Sequence, residues 1–408
     1  MSLKQLEIIL LGMMVFVLPS LETPKTLFWA LYVLVFLIRK HRDGELWQLP
    51  SAPVVLALWG ILLVSLISTL MNWPIENGFK GVFDALRYIS LFLCIYAGGY
   101  TDKDFRNIAL AVIAGAIAGL SFGLLEVITN VVSRLQFHSA GVVTQSAIYL
   151  SMVIVLTLGF IMQCRDLTKA MRGVLIAVLS IMAIGLAYMG SRGSLLAVFT
   201  VLGVIILANL RWRVVLGLLI GTGLIAIASY FVIKLAPQNI LNEGHYERLS
   251  VERFNKADNE RVEAWKISLA KLASGEDVIW GIGPKNFRSI NPSDLGIQSA
   301  FYERTGVIHH AHNLFLTTLV ETGVIGLSMM LAFYFLIFIR LYRSRRSQLD
   351  SGAGWMWYAG LGGFMVPIIA GSFNAPFSGE FAMLAMILMA MMYVSVDTNT
   401  AAGALEDH

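Results

Sequence analysis

Of 408 residues, 57% are hydrophobic and only 14% charged, far below the roughly one-quarter charged residues of soluble domains, which excludes a water-soluble globule. Lipid offers the backbone no hydrogen-bond partners, so helical spans or a closed barrel remain, and apolar runs that are continuous rather than alternating exclude the barrel. The net charge of +4 sits in short loops between apolar runs, where it orients a chain in a membrane and is no sign of nucleic-acid binding.

In chain order, the apolar runs predict about twelve transmembrane helices: residues 6–21, 25–38, 52–70, 81–98, 107–129, 142–163, 173–190, 193–209, 213–234, 313–339, 355–373 and 379–395. The first has one upstream lysine and no small-residue cleavage site, so it reads as a retained span rather than a signal. Loops alternate in charge. One set holds Lys4, then Arg39, Lys40 and Arg42, then Lys103 and Arg106, then Arg165, Lys169 and Arg172, then Arg211 and Arg213, and finally Arg340, Arg343, Arg345 and Arg346. These are 15 of the 30 lysines and arginines. The opposite short loops hold Lys25, Lys80, Arg134 and Arg192, with Arg87 just inside a span. The positive-inside rule then puts both termini in the cytoplasm, which fits an even number of spans. Cys94 and Cys164 lie far apart in sequence, in or beside predicted spans, and form no disulfide or metal framework.

One polar stretch divides the chain into transmembrane helices 1–9 over residues 1–234, a loop subdomain over 235–312, and transmembrane helices 10–12 with a cytoplasmic tail over 313–408. The charge alternation puts the loop on the extracytoplasmic side. From Asn259, a predicted N-cap, Val262, Trp265, Leu269 and Leu272 form a helical stripe. Gly281-Ile282-Gly283-Pro284 then breaks any helix before Lys285, Asn286, Phe287 and Arg288. A small helical subdomain on the membrane surface is expected.

Candidate chemistry gathers on that side. In Ser191-Arg192-Gly193-Ser194 the guanidinium either grips a lipid phosphate with its planar fork or anchors at the headgroups. Arg261 and Arg288 are either further anion ligands or solvated charges, Arg261 then pairing with Glu260 or Glu263. His309-His310-Ala311-His312-Asn313 gathers three of the seven histidines at the water–lipid boundary. Imidazole accepts a proton near neutral pH, as a base acting on a sugar hydroxyl must. The cluster lacks the i,i+4 spacing of a zinc helix. Nine residues after Asn313 come Gly323 and Gly326, whose spacing lets another helix pack closely. Asp102-Lys103-Asp104 has the form of a metal-sugar motif but reads as a solvated turn on the cytoplasmic side. Asp84 and Arg87 share a helical face, either as an ion pair or with Arg87 joining a phosphate site.

The pattern His312-Asn313, nine residues, Gly323, two residues, Gly326 resembles that of the O-antigen ligases, within the O-antigen ligase/polymerase superfamily. Arg192, Arg261 and Arg288 resemble positions typical of it. The resemblance implies an all-α polytopic fold with about twelve spans, GT-C-like, with one large helical periplasmic loop. It also implies transfer of polysaccharide from an undecaprenyl-pyrophosphate-linked donor to a sugar hydroxyl of lipid A–core, inverting and without metal or cofactor, at the periplasmic face of the bacterial inner membrane. His312 would be the base, Arg192, Arg288, Arg261 and Arg87 the pyrophosphate ligands, and Asn313, Gly323 and Gly326 the structural motif. The partners are the donor, the acceptor and membrane lipids, with no nucleic acid. The rival readings are an O-antigen polymerase, a protein O-oligosaccharyltransferase and a non-enzymatic transporter of lipid-linked sugars.

Overall fold

The computed structural model describes residues 1–45, 52–73, 77–209, 251–275, 277–350, 354–374 and 376–406. Among them every regular element is helical: α1 (Leu3–Val17), α2 (Glu22–Arg42), α3 (Pro53–Met71), α4 (Gly78–Tyr96), α5 (Asp102–Ile128), α6 (Val143–Gln163), α7 (Lys169–Met189), α8 (Arg192–Asn209), α9 (Val251–Ala273), α10 (Ala300–Thr305), α11 (Leu314–Asp350), α12 (Trp355–Gly371) and α13 (Gly379–Glu406), with two short 3-10 turns between α9 and α10. Each predicted span falls on one of these helices except 213–234, which lies outside the described residues, as does the boundary between 234 and 235.

This is a multi-pass helical membrane protein. Among the described residues five helices are long and apolar enough to cross a bilayer: α3, α5, α6, α7 and the Leu314–Arg345 part of α11. Shorter apolar helices cover Arg192–Ala208, Trp355–Gly371 and Gly379–Ser395. Local chemistry sets several ends. Ser2 and Gln5 form a capping box on α1, and Gly190, at φ 65°, ends α7. Asp102-Lys103-Asp104 is the first turn of α5. Asp104 accepts from the Thr101 N–H at 2.9 Å while the Thr101 hydroxyl accepts from the Asp104 N–H at 3.3 Å, so the motif caps a helix.

At the centre, α6 is buried along most of its length against α7, α8, α12 and α13, whereas most of α7 faces outward. A side chain at Gly159 would strike Tyr358, so glycine lets α6 and α12 close up. Large apolar side chains such as Leu34, Leu63, Phe199 and Phe335 stand exposed, as expected of a lipid-facing surface.

The charges within the less apolar helices are neutralised internally. Glu7 of α1 is fully buried and accepts from Arg39 of α2 at 2.6 and 3.0 Å and from the Tyr100 hydroxyl at 2.9 Å. Arg39 also donates to the Gly98 carbonyl at 3.1 Å, so one ion pair joins α1, α2 and the α4–α5 turn. At the end of the bundle that carries α9 and α10, the buried Lys25 donates to Glu22, to Ser139 at 2.6 Å and to Glu380, tying α2 and the segment before α6 to α13.

Removing one partner of such a pair strands a buried charge, at a cost of about 3–5 kcal/mol. Glu7→Ala is therefore expected to lower the unfolding temperature in detergent, and adding Arg39→Leu is expected to recover part of the loss. Equal stability of wild type and Glu7→Ala would rule out this role.

Candidate active site

The site is built around an interruption in α11. Gly323 adopts φ 68° and ψ −172°, a backbone region that is essentially closed to other residues. Such a break frees carbonyls on one side and N–H groups on the other, and lipid cannot satisfy either. The segment 278–283 supplies the partners. The N–H groups of Ile282 and Gly283 donate to the Val320 and Glu321 carbonyls at 3.0 and 2.8 Å. In return, the N–H groups of Val324 and Ile325 donate to the Val278 and Ile279 carbonyls at 2.9 and 3.5 Å. From α3, Ser68 Oγ donates to the Glu321 carbonyl at 3.0 Å and Asn72 Nδ2 to the Gly281 carbonyl at 2.9 Å. A side chain on Gly281 would meet the Glu321 backbone, and one on Gly323 the Ile279 backbone. The sequence pattern suggested a second helix packing at Gly323 and Gly326. Instead a loop segment enters at Gly323, while Gly326 abuts Thr322 and Val64 of α3.

The inserted segment fixes the turn that follows it. Phe287 is buried in a small apolar core with Ala264 and Ile267 of α9 and with Ile282 and Ile308. Its N–H donates to Glu321 Oε1 at 3.4 Å. The turn holds Lys285, at φ 61° and ion-paired with Asp84, and Arg288, which donates to Asn77 Oδ1 at 2.8 Å. Both line a cavity of about 390 Å³. Its polar part also includes His309, His310 and Glu321, and its apolar part includes Leu58, Ile61, Met330 and Phe333. The lining is therefore charged and polar on one part and hydrocarbon on the other, suited to an amphiphile.

The histidine segment is held from both sides. Asn313 Oδ1 accepts from the Leu316 N–H at 2.9 Å, capping α11, while Nδ2 donates to the Ser372 carbonyl at 2.9 Å. The Ala311 N–H donates to Thr317 Oγ1 at 3.1 Å. His312 is left-handed, with φ 50°, and its N–H donates to His310 Nδ1 at 3.1 Å. The two rings lie 4.4 Å apart. Burial pushes the His310 imidazole down to about 3, with help from the neighbouring histidines. Burial and the Arg261 charge also lower His312 below its ordinary 6.5, partly offset by Glu260 and by a hydrogen bond to the Asn374 backbone. The Asn374 backbone is thus close to the ring, which in its neutral form has one protonated nitrogen and one that carries the lone pair.

The candidate residues fall into two groups. Arg261 donates to Asn374 Oδ1 at 3.1 Å, beside His312. Arg192 is exposed in the first turn of α8, and the next residue, Gly193, lies against the Asn374 amide. Glu260 and Glu263 are engaged elsewhere: Glu260 pairs with Arg304, and Glu263 accepts from the Ser299 hydroxyl at 2.6 Å and the Phe301 N–H at 3.0 Å. The second group is the cavity with Lys285 and Arg288. Arg87 takes the ion-pair alternative, donating to Asp84 within α4 at 2.7 Å. Two local readings change. Helix α9 is already formed at Val251, because no breaker precedes Asn259, which lies inside it. Its buried face runs through Ala264, Ile267 and Ser268, leaving Val262 and Leu269 exposed. Sequence reasoning missed Asn374, Lys285 as an ion-pair partner, and Glu321. Asn374 has no motif around it; its only signal is a polar residue in the turn between two spans.

Gly323→Ala forces a side chain into that backbone region, a strain of about 1–3 kcal/mol before the collision with Ile279. The expected outcome is a protein that inserts but shows faster amide exchange over 278–288 and loses activity. Unchanged exchange would mean that the break does not hold the turn.

Residues 175–331 match the family model described as O-Antigen ligase. The match runs from within α7 into α11 and takes in Arg192, Arg261, Arg288, His312, Gly323 and Gly326, leaving Arg87 and Asn374 outside. No curated protein matches the chain. The matched stretch, 157 of the 408 residues, is similar to an O-antigen ligase domain.

Proposed function

We propose that the protein is an O-antigen ligase of the bacterial inner membrane, moving polysaccharide from undecaprenyl pyrophosphate to a sugar hydroxyl of lipid A–core. The observation that carries the catalytic reading is His312, held below the ordinary histidine pKa, beside Asn374 and the Arg261 guanidinium that Asn374 binds. The free nitrogen of the neutral ring takes the proton of the acceptor hydroxyl. The hydroxyl oxygen attacks the anomeric carbon opposite the diphosphate. The bond from that carbon to the diphosphate oxygen breaks with its electron pair, and the configuration inverts. Arg261 and Arg192 offset the charge on the departing diphosphate, with Arg288 on the cavity side. The apolar part of the cavity suits the polyprenyl chain. Arg87, tied to Asp84, is left out of the binding set. No cofactor takes part.

In this reading the chain has twelve spans in a GT-C-like arrangement with both ends cytoplasmic. Its three parts are 1–234, 235–312 and 313–408, and the middle part lies in the periplasm over the substrate headgroups. The break at Gly323 supports a substrate site at an interrupted span.

The test is a transfer assay with purified protein, undecaprenyl-pyrophosphate glycan and lipid A–core, with EDTA present. Product on lipid A–core from wild type and none from His312→Ala is expected. Longer lipid-linked chains would instead indicate a polymerase, glycan on protein serine or threonine a protein O-oligosaccharyltransferase, and no transfer at all a transporter. Arg192→Ala and Arg288→Ala should lose activity, with only partial rescue by lysine, which lacks the bidentate fork.

The base must be neutral to act, so the rate should rise with pH through the His312 pKa and level off above it. That limb lies below pH 6.5, because burial and Arg261 depress the group. Arg261→Ala removes the depressing charge, raises the pKa, and is expected to move the acid limb to higher pH. An unmoved limb would show that the titrating base is another group.

A further inference from the structure

Asn374 joins three parts of the chain that are remote in sequence. Its Oδ1 accepts from the Arg261 guanidinium of α9 at 3.1 Å. Its backbone lies near the His312 ring and acts to raise that ring's pKa. Its amide nitrogen lies in the space that a side chain at Gly193, in the first turn of α8, would fill. Nδ2 is buried and has no hydrogen-bond partner among the described residues. Only the oxygen end of the amide and the main chain therefore do any work.

We infer that Asn374 is a positioning residue of the transfer reaction, holding Arg261 at a fixed place beside the His312 ring; this rests on the ligase reading above. An arginine side chain has many rotamers, and fixing it costs entropy that a tether defrays before substrate arrives. Asn374 applies that tether from the turn after α12, where its backbone lies near the His312 ring. Gly193 is part of the device, because any larger residue there would displace the amide. Asn374 itself touches neither the leaving group nor the acceptor hydroxyl in this scheme.

The experiment is a double-mutant cycle in the glycan-transfer assay, with KM for the undecaprenyl-pyrophosphate glycan, kcat and the pH profile measured for wild type, Asn374→Ala, Arg261→Ala and the double variant. If Asn374 acts through Arg261, the double variant is no slower than Arg261→Ala alone, and Asn374→Ala shifts the acid limb to higher pH in the same direction as Arg261→Ala. Multiplying losses in the cycle, with an unmoved limb, would reduce Asn374 to a structural residue and overturn the inference. Asn374→Asp keeps an accepting oxygen but sets a carboxylate against Arg261 and neutralises it, so it should raise KM as Asn374→Ala does and move the acid limb to higher pH. An Asp variant that inserts yet keeps the wild-type KM and acid limb would also overturn the inference. If wild type transfers no glycan, the ligase reading fails and the inference falls with it. Transfer by wild type with an additive cycle sinks only the inference.

Discussion

An unpaired backbone group costs several kcal/mol in hydrocarbon, so a membrane helix cannot simply stop and restart. The break at Gly323 exists because segment 278–283 gives and receives the hydrogen bonds that α11 loses, with Ser68 and Asn72 of α3 adding two more. Nearly everything else in the site depends on that exchange. The turn carrying Lys285 and Arg288 is anchored by it, Glu321 stands at the end of the upper half of α11, and the cavity opens beside the join.

The same constraint explains how charge is handled. Charged groups inside the bundle, such as Glu7 with Arg39 and Lys25 with Glu380, are bonded to one another, so they add cohesion without drawing water into the hydrocarbon. Two cations of the candidate site are held differently. Arg261 and Arg288 are each bonded to a neutral asparagine oxygen, Asn374 and Asn77 respectively. A neutral partner orients a guanidinium without cancelling its charge, which leaves that charge available to an incoming anion. Arg87, bonded to a carboxylate, is largely neutralised.

The histidine segment shows how strain and neutrality combine. His312 keeps a left-handed backbone because Asn313 caps α11 and the His312 N–H finds His310 Nδ1. Burial keeps both imidazoles uncharged near neutral pH, and this separates their roles. His310, pushed to about 3, is too weak a base to collect a proton, while His312 is less strongly shifted and stands beside the Arg261 guanidinium.

Hydropathy alone determined where the helices are, because a run of apolar residues in lipid has no other way to satisfy its backbone; the predicted spans within the described residues all fall on helices. Residue chemistry likewise singled out His312, Arg261, Arg288 and the glycine pair, since few side chains bind phosphate or accept a proton near neutrality. The tertiary structure decided the rest. It paired Arg87 with Asp84 and Arg261 with Asn374, turned Gly323 from a helix-packing residue into a helix break, moved the buried face of α9 onto Ala264 and Ser268, and brought Asn374 to the His312 ring. These outcomes depend on which of several equally suitable partners comes within about 3 Å. Spacing along the chain does not encode that distance, because the partners come from helices far apart in sequence, and only their packing sets it.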